Sequence, residues 1–182
     1  MVLALLPLSA AAQVLAPQYP GGLRPEYLDE DRPWEEQKAA LPPYPRPGNL
    51  IKVYVGGATS FEFFVDAASV SVGEDGVVRY ALVARSPSGA TNTSYEGIRC
   101  SSRERKLYAF GRDDGTWSQA RSAQWSPITG IQANLQQATL ADDFFCLRDR
   151  PVRSAEQAVR ALRAGGLPGT SSRDVEMMNR PR

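Results

Sequence analysis

From Leu50 to Arg121 apolar side chains recur at every second residue in short runs, and each run ends in a cluster of turn-forming residues. In LIKVYV, Ile51, Val53 and Val55 share one face, and in FEFFVD so do Phe61, Phe63 and Val65. A strand with one buried face requires this alternation, which does not fit the 3.6-residue period of a helix. The runs ASVSV and VVRYALVARS flank Gly73, Glu74, Asp75 and Gly76, where Asp75 and Gly76 tolerate the positive φ of a tight hairpin turn. SPSG, SSRER and RDDG then separate TNTSYEGIRC, KLYAFG and TWSQAR. Strands this short, joined by turns this tight, predict an antiparallel meander of six or seven strands.

Helical periodicity comes only after the meander. RSAEQAVRALRAGG sets Ala155, Ala158, Val159 and Leu162 on one face, with Ser154 and Gln157 placed as a capping box and Gly165 and Gly166 as the stop. A shorter helix is expected through NLQQATLADDF, ending before Cys146. The fold class is therefore α+β, with helices at the C-terminal end packed on one face of the sheet. A chain of 182 residues with 42% hydrophobic composition suits one such core.

The ends read differently. Residues 1–12 run from apolar to small, with Ala10 and Ala12 placed as at a signal-peptide cleavage site, and they predict a signal removed before Gln13. That run is too short to span a bilayer, which takes about 20 apolar residues. Residues 13–49 carry proline at eight positions from Pro17 to Pro47 and an acidic cluster at Asp29, Glu30, Asp31, Glu35 and Glu36. Proline fixes φ and removes a donor, so the expectation is an extended arm, solvated and open to protease up to about residue 45, with two alternatives: the acidic cluster recruits a basic partner, or a short helix over 34–40 packs Trp34 onto the domain. The globular domain is assigned to 50–166 and a flexible tail to 167–182. The predicted location is the periplasm, as a soluble exported protein without a transmembrane segment.

Composition excludes several chemistries. The chain contains no histidine, which removes Ser-His and Cys-His nucleophile pairs and zinc sites built on imidazole. The three lysines, Lys38, Lys52 and Lys106, lie beside no nucleophile motif and read as surface residues. Basic and acidic residues balance at 21 and 20, giving a net charge of +1 with no global attraction to nucleic acid. No catalytic residue, metal site or cofactor is assigned. Partners are expected among envelope proteins or glycans. Two weaker constellations remain. Tyr95, Tyr108, Trp117 and Trp125, interleaved with Arg79, Arg99, Arg105 and Arg121, suit a surface for a glycan or a single-stranded polymer, and Tyr95, Glu96, Arg99 and Trp117 are its candidate ligand-binding residues. Glu62, Asp66 and Glu96 are carboxylates on neighbouring strands, the residue type that glycoside hydrolysis needs in pairs.

The only two cysteines, Cys100 and Cys146, close a predicted strand and a predicted helix. Exported chains meet an oxidising compartment, so the pair is read as a disulfide. A nucleophilic thiol would need a base or a helix N-terminus, and Cys146 follows the wrong helix end. A structural zinc takes four ligands, where two are on offer.

The run from VDAASVSV to SYEGIRC, then YAFGRDDGTW, AQWSPI and a closing FFC, resembles the cryptic neisserial protein one-like family of exported bacterial proteins. DGVVRY, SYEGIRC and DGTW are its most specific pieces, and the resemblance covers about residues 45–165. It implies an uncharacterised envelope protein and carries over no catalytic residue. The functional expectation is a non-catalytic binding or structural domain, with a cell-wall glycan hydrolase using paired carboxylates as the alternative.

Overall fold

A computed structural model describes residues 33–130 and 132–168. The expectations for the signal, the first part of the arm and most of the tail lie outside the described residues. A compact unit begins at Glu35.

The meander is present. β1 (Leu50–Val53), β2 (Glu62–Val72), β3 (Val77–Arg85), β4 (Thr91–Arg99), β5 (Glu104–Gly111) and β6 (Trp117–Gln119) pair antiparallel in sequence order, and β7 (Ser126–Pro127) adds to β5 beside β6. The β2–β3 hairpin closes as its residues demand, with Gly76 at φ 76° and its N–H donating to the Gly73 carbonyl. The two strands expected from FEFFVD and ASVSV are instead a single strand, β2, of 11 residues. The pairing with β3 slips between Asp66 and Ser71, and the Ser69 hydroxyl spans the slip. It donates to the Asp66 carbonyl at 2.7 Å and accepts from the Ala81 N–H at 2.8 Å, so backbone groups that lose their ladder partner are satisfied by a side chain.

The helical layer comes next in the chain. α1 (Leu135–Thr139) runs directly into a π-helical turn (Leu140–Phe145), a two-stranded ladder joins β8 (Cys146–Leu147) to β9 (Arg150–Pro151), and α2 (Ala155–Ala164) closes the domain. The Ser154 hydroxyl caps α2 by accepting from the Gln157 N–H, and Gly165 stops the helix at φ 84°. The Gln157 side chain reaches back to the Arg153 N–H, one residue earlier than in the usual capping box. No helix among the described residues is long and apolar enough to cross a membrane.

Strand alternation sends Val53, Phe63, Val65, Val78, Tyr80, Leu82 and Ile98 to the helical side. There they pack with Leu140, Phe144, Phe145, Val152, Ala158 and Leu162 in one core. Tyr80 and Phe145, both fully buried, meet in a tilted contact with ring centroids 5.1 Å apart. The Cys100–Cys146 disulfide forms, with Cα atoms 5.6 Å apart, and ties the end of β4 to the end of the π turn. The Arg103 guanidinium adds a two-pronged ion pair to the Asp142 carboxylate at the same junction.

Candidate functional site

The opposite face of the sheet carries the less expected structure. Residues Arg79 and Ala81 of β3, Tyr95 and Gly97 of β4, and Lys106 and Ala109 of β5 form its centre, as their cross-strand register shows. In β5 Glu96 opposes Leu107 while Tyr95 opposes Ala109, which leaves Tyr108 as the extra residue of a bulge. A bulge re-aims a side chain. Tyr108 accordingly lies on this face against Tyr95, ring centroids 5.5 Å apart, with the Arg79 guanidinium 5.7 Å from its centroid. Ala81, Tyr95 and Ala109 make a small core of their own, covered by Ala39, Tyr108 and Trp117.

The cover is the proline-rich segment. Residues 35–46 have no regular secondary structure, in keeping with Pro42, Pro43 and Pro45 in their second half, but they lie on the sheet and are not a solvated linker. Glu36 anchors one end. Its Oε1 accepts from the Tyr108 hydroxyl at 2.7 Å, and its Oε2 accepts from the Lys106 ammonium at 2.6 Å and the Trp125 indole N–H at 3.2 Å. Burial opposes ionisation of Glu36, but the bonds from Lys106, Tyr108 and Trp125 together outweigh it and hold the carboxyl below its ordinary range. Burial and the Glu36 carboxylate push the Tyr108 phenol far up, so it stays a donor.

Beside this contact Asp75 and Arg79 form a second clamp. The Arg79 guanidinium donates to both Asp75 oxygens, at 3.2 and 2.6 Å, and to the Gln37 carbonyl at 2.9 Å, while the Gln37 N–H donates to Asp75 at 2.9 Å. The backbone of Gln37 is thus bound through both its donor and its acceptor. Burial works against the Asp75 charge, but Arg79 and the Gln37 and Val77 amides hold its carboxyl below the ordinary range.

Trp117 receives the far end of the segment. Its indole N–H donates to the Pro42 carbonyl at 2.8 Å, and its ring lies 5.2 Å from Tyr44 and 6.1 Å from Tyr95, centroid to centroid. The Tyr44 hydroxyl donates to the Arg112 carbonyl at 3.1 Å. Gly111 makes this seat possible, since a Cβ there would stand 2.6 Å from the Tyr44 hydroxyl oxygen. An indole donor meeting a prolyl carbonyl, with flanking aromatic rings, is the chemistry by which grooves bind extended proline-rich chains. A cavity of about 300 Å³ remains along the segment, lined by Leu41, Lys106, Tyr108 and Gln119 among others.

The structure brings together only part of the predicted set. Tyr95 and Trp117 meet beneath the segment. Arg99 sits at the end of β4, where its Nε donates to the Ser101 hydroxyl and its Nη1 lies 3.8 Å from Glu104. Glu96 points to the other face, buried, and accepts from the Tyr80 and Ser94 hydroxyls at 3.1 and 2.7 Å and from the Gln137 amide at 2.9 Å. It joins α1 to the sheet.

The carboxylates of the hydrolase reading also fail to converge. Glu62 and Asp66 share a face but stand four strand residues apart, about 13 Å, and Glu96 lies across the sheet from both. Glu62 is exposed and pairs with Lys52, while burial pushes the Asp66 carboxyl up. The contacts that escaped the sequence reading are those of Asp75 and Lys106 in the groove and of Glu36, Pro42 and Tyr44 in the segment that fills it. Lys106 passes for a surface lysine because nothing local in KLYAFG announces a carboxylate 70 residues earlier in the chain.

The CNP1-like family profile matches residues 29–163. The chain belongs to that family. Its match begins upstream of the meander and takes in the docked segment, so the segment is part of the family's domain. The chain is also 29% identical over 114 residues to cryptic neisserial protein 1 of Neisseria gonorrhoeae, an alignment covering 54% of this chain and 56% of that protein. The matched region spans little more than half of that relative's length. No solved structure matches the chain.

Proposed function

We propose that the chain is a periplasmic cell-envelope protein whose domain binds or supports another component without catalysing a reaction. The observation that carries this reading is the second sheet face, where Asp75, Arg79, Lys106, Tyr108, Trp117 and Trp125 are engaged in gripping an extended polypeptide. Groups held this tightly are poor candidates for proton transfer and good ones for recognition. The Cys100–Cys146 disulfide favours an oxidising compartment, in keeping with the signal-like residues 1–12.

The test is expression of the full coding sequence in a Gram-negative host. The protein is expected in the osmotic-shock fluid, begun at or near Gln13, with both cysteines resistant to alkylation, and it should release no soluble fragments from murein sacculi. Recovery in the cytosol with two reactive thiols overturns the compartment. Fragment release that Asp66→Asn abolishes overturns the non-catalytic reading.

A further inference from the structure

The groove reads its occupant at three points: a carboxylate at Glu36, a prolyl carbonyl at Pro42 and an aromatic ring at Tyr44. That spacing is written in the chain itself, so every copy of the protein carries both a receptor and a segment that fits it. We propose that the groove also takes residues 35–44 from a second copy of this chain, in a reciprocal exchange of arms. Glu36 of one copy would then complete the cluster of Lys106, Tyr108 and Trp125 in the other. The proposal rests on reading this face as a binding surface, though not on the chain's compartment.

The connection between arm and sheet suits such an exchange. Five residues, Pro45 to Asn49, separate Tyr44 from β1, and Pro47–Asn49 form a single 3-10 turn closed by the Asn49 N–H on the Arg46 carbonyl at 2.9 Å. Two prolines fix φ at 45 and 47, and nothing lies within 4 Å of the position a Cβ would take at Gly48. Opening this hinge gives up at most two backbone bonds, Asn49 N–H to Arg46 and Leu50 N–H to Pro47, and the Asn49 side-chain bond to Asp66, whereas every arm-to-groove contact is regained in the partner. Short hinges of this kind are where elements swap between protomers. The cis arrangement has the advantage of high effective concentration, so exchange grows with protein concentration.

Complementation of two damaged full-length chains tests the exchange. One carries Trp117→Ala, with a damaged groove and an intact arm. The other carries Glu36→Ala with Tyr44→Ala, with a damaged arm and an intact groove. Each alone should be monomeric by native mass spectrometry. Mixed, they should form a heterodimer at least ten times as abundant as either homodimer, and a synthetic peptide of residues 35–46 should compete it away. A retained Cys100–Cys146 linked peptide checks folding, and Trp117→Phe, which keeps a ring but loses the N–H, replaces the alanine variant should that fail. Absence of a heterodimer overturns the exchange, even where the peptide alone binds the intact groove. So does Trp117→Ala dimerising as the unaltered protein does, because the interface then lies elsewhere. Neither result touches the compartment or the absence of catalysis, which the osmotic-shock and sacculus assays decide.

Discussion

Glu36 shows how one side chain converts a proline-rich stretch into part of a domain. Its two oxygens receive three donors from β5 and the loop after β6, so its ionised form is favoured in the docked state. A carboxyl whose folded pKa is depressed contributes stability that is fully present above the unfolded value of about 4.3 and is lost as pH falls through the folded value. Asp75 acts in the same direction. Asp66 and Asp143 act in the opposite one: burial raises both, with Asp142 adding to the rise at Asp143, so their protonation on acidification favours the folded chain. Acid should therefore loosen the arm before it opens the core. Trp117 and Trp125 report this directly, as both bond to the arm. Their fluorescence should change as pH falls below about 4 while the far-ultraviolet sheet signal persists, and Glu36→Gln should remove most of the change. A tryptophan transition that tracks loss of the sheet, unchanged in Glu36→Gln, would show that Glu36 does not govern docking.

The junction of the β4–β5 turn with the π turn holds two cross-links of unequal strength. In the chain-entropy account, a disulfide closing a loop with a separation of 46 residues stabilises by about 4 kcal/mol. The Arg103–Asp142 pair is half-exposed on both sides, and such pairs contribute at most about 1 kcal/mol. Reduction or Cys100→Ala should thus lower the melting temperature several times more than Arg103→Ala, measured by calorimetry; equal drops would mean that the ion pair, not the disulfide, holds the helical layer. The disulfide was legible because the only two cysteines have one way to pair, once the first residues are read as a signal. The meander and α2 were legible because period-two and 3.6-residue patterns, turn residues and caps are local signals. The single long β2 was not, because its continuity depends on the Ser69 hydroxyl bridging to Ala81 of the next strand. The fate of Glu96 was hidden for a related reason: alternation fixes which side of the sheet a residue takes, but not which side the helices will cover. The groove was least legible of all, as its parts come from 36–44, 75–79, 106–117 and Trp125, and only folding assembles them.

At the scale of the molecule the sheet is covered on both faces, by the C-terminal helices on one and by the arm across the centre of the other. These two covers differ in kind. The helical side buries a continuous apolar core under a disulfide, whereas the arm is held by a few hydrogen bonds, two ion-paired clusters and a tilted ring contact, so it should open at a lower free-energy cost than the core. Trypsin offers a local reading of that cost, because Lys38–Ala39 lies inside the docked segment and Arg46 is protected by the proline after it. Lys38 itself is exposed, but its neighbour Gln37 is bound through both backbone groups, and Glu36 and Ala39 are half-buried against the sheet. Cleavage at Lys38 therefore requires the arm to leave, and with fast redocking its rate measures the undocked population. The solvated arm expected from composition would be cut at Lys38 at the rate of a free peptide. The docked arm should be cut at least tenfold more slowly, corresponding to about 1.4 kcal/mol, and Trp117→Ala should restore most of the peptide-like rate without increasing cleavage within β2 to β5. Cleavage of the unaltered chain at the peptide rate would return residues 35–46 to solvent and leave Tyr95, Tyr108 and Trp117 an open face.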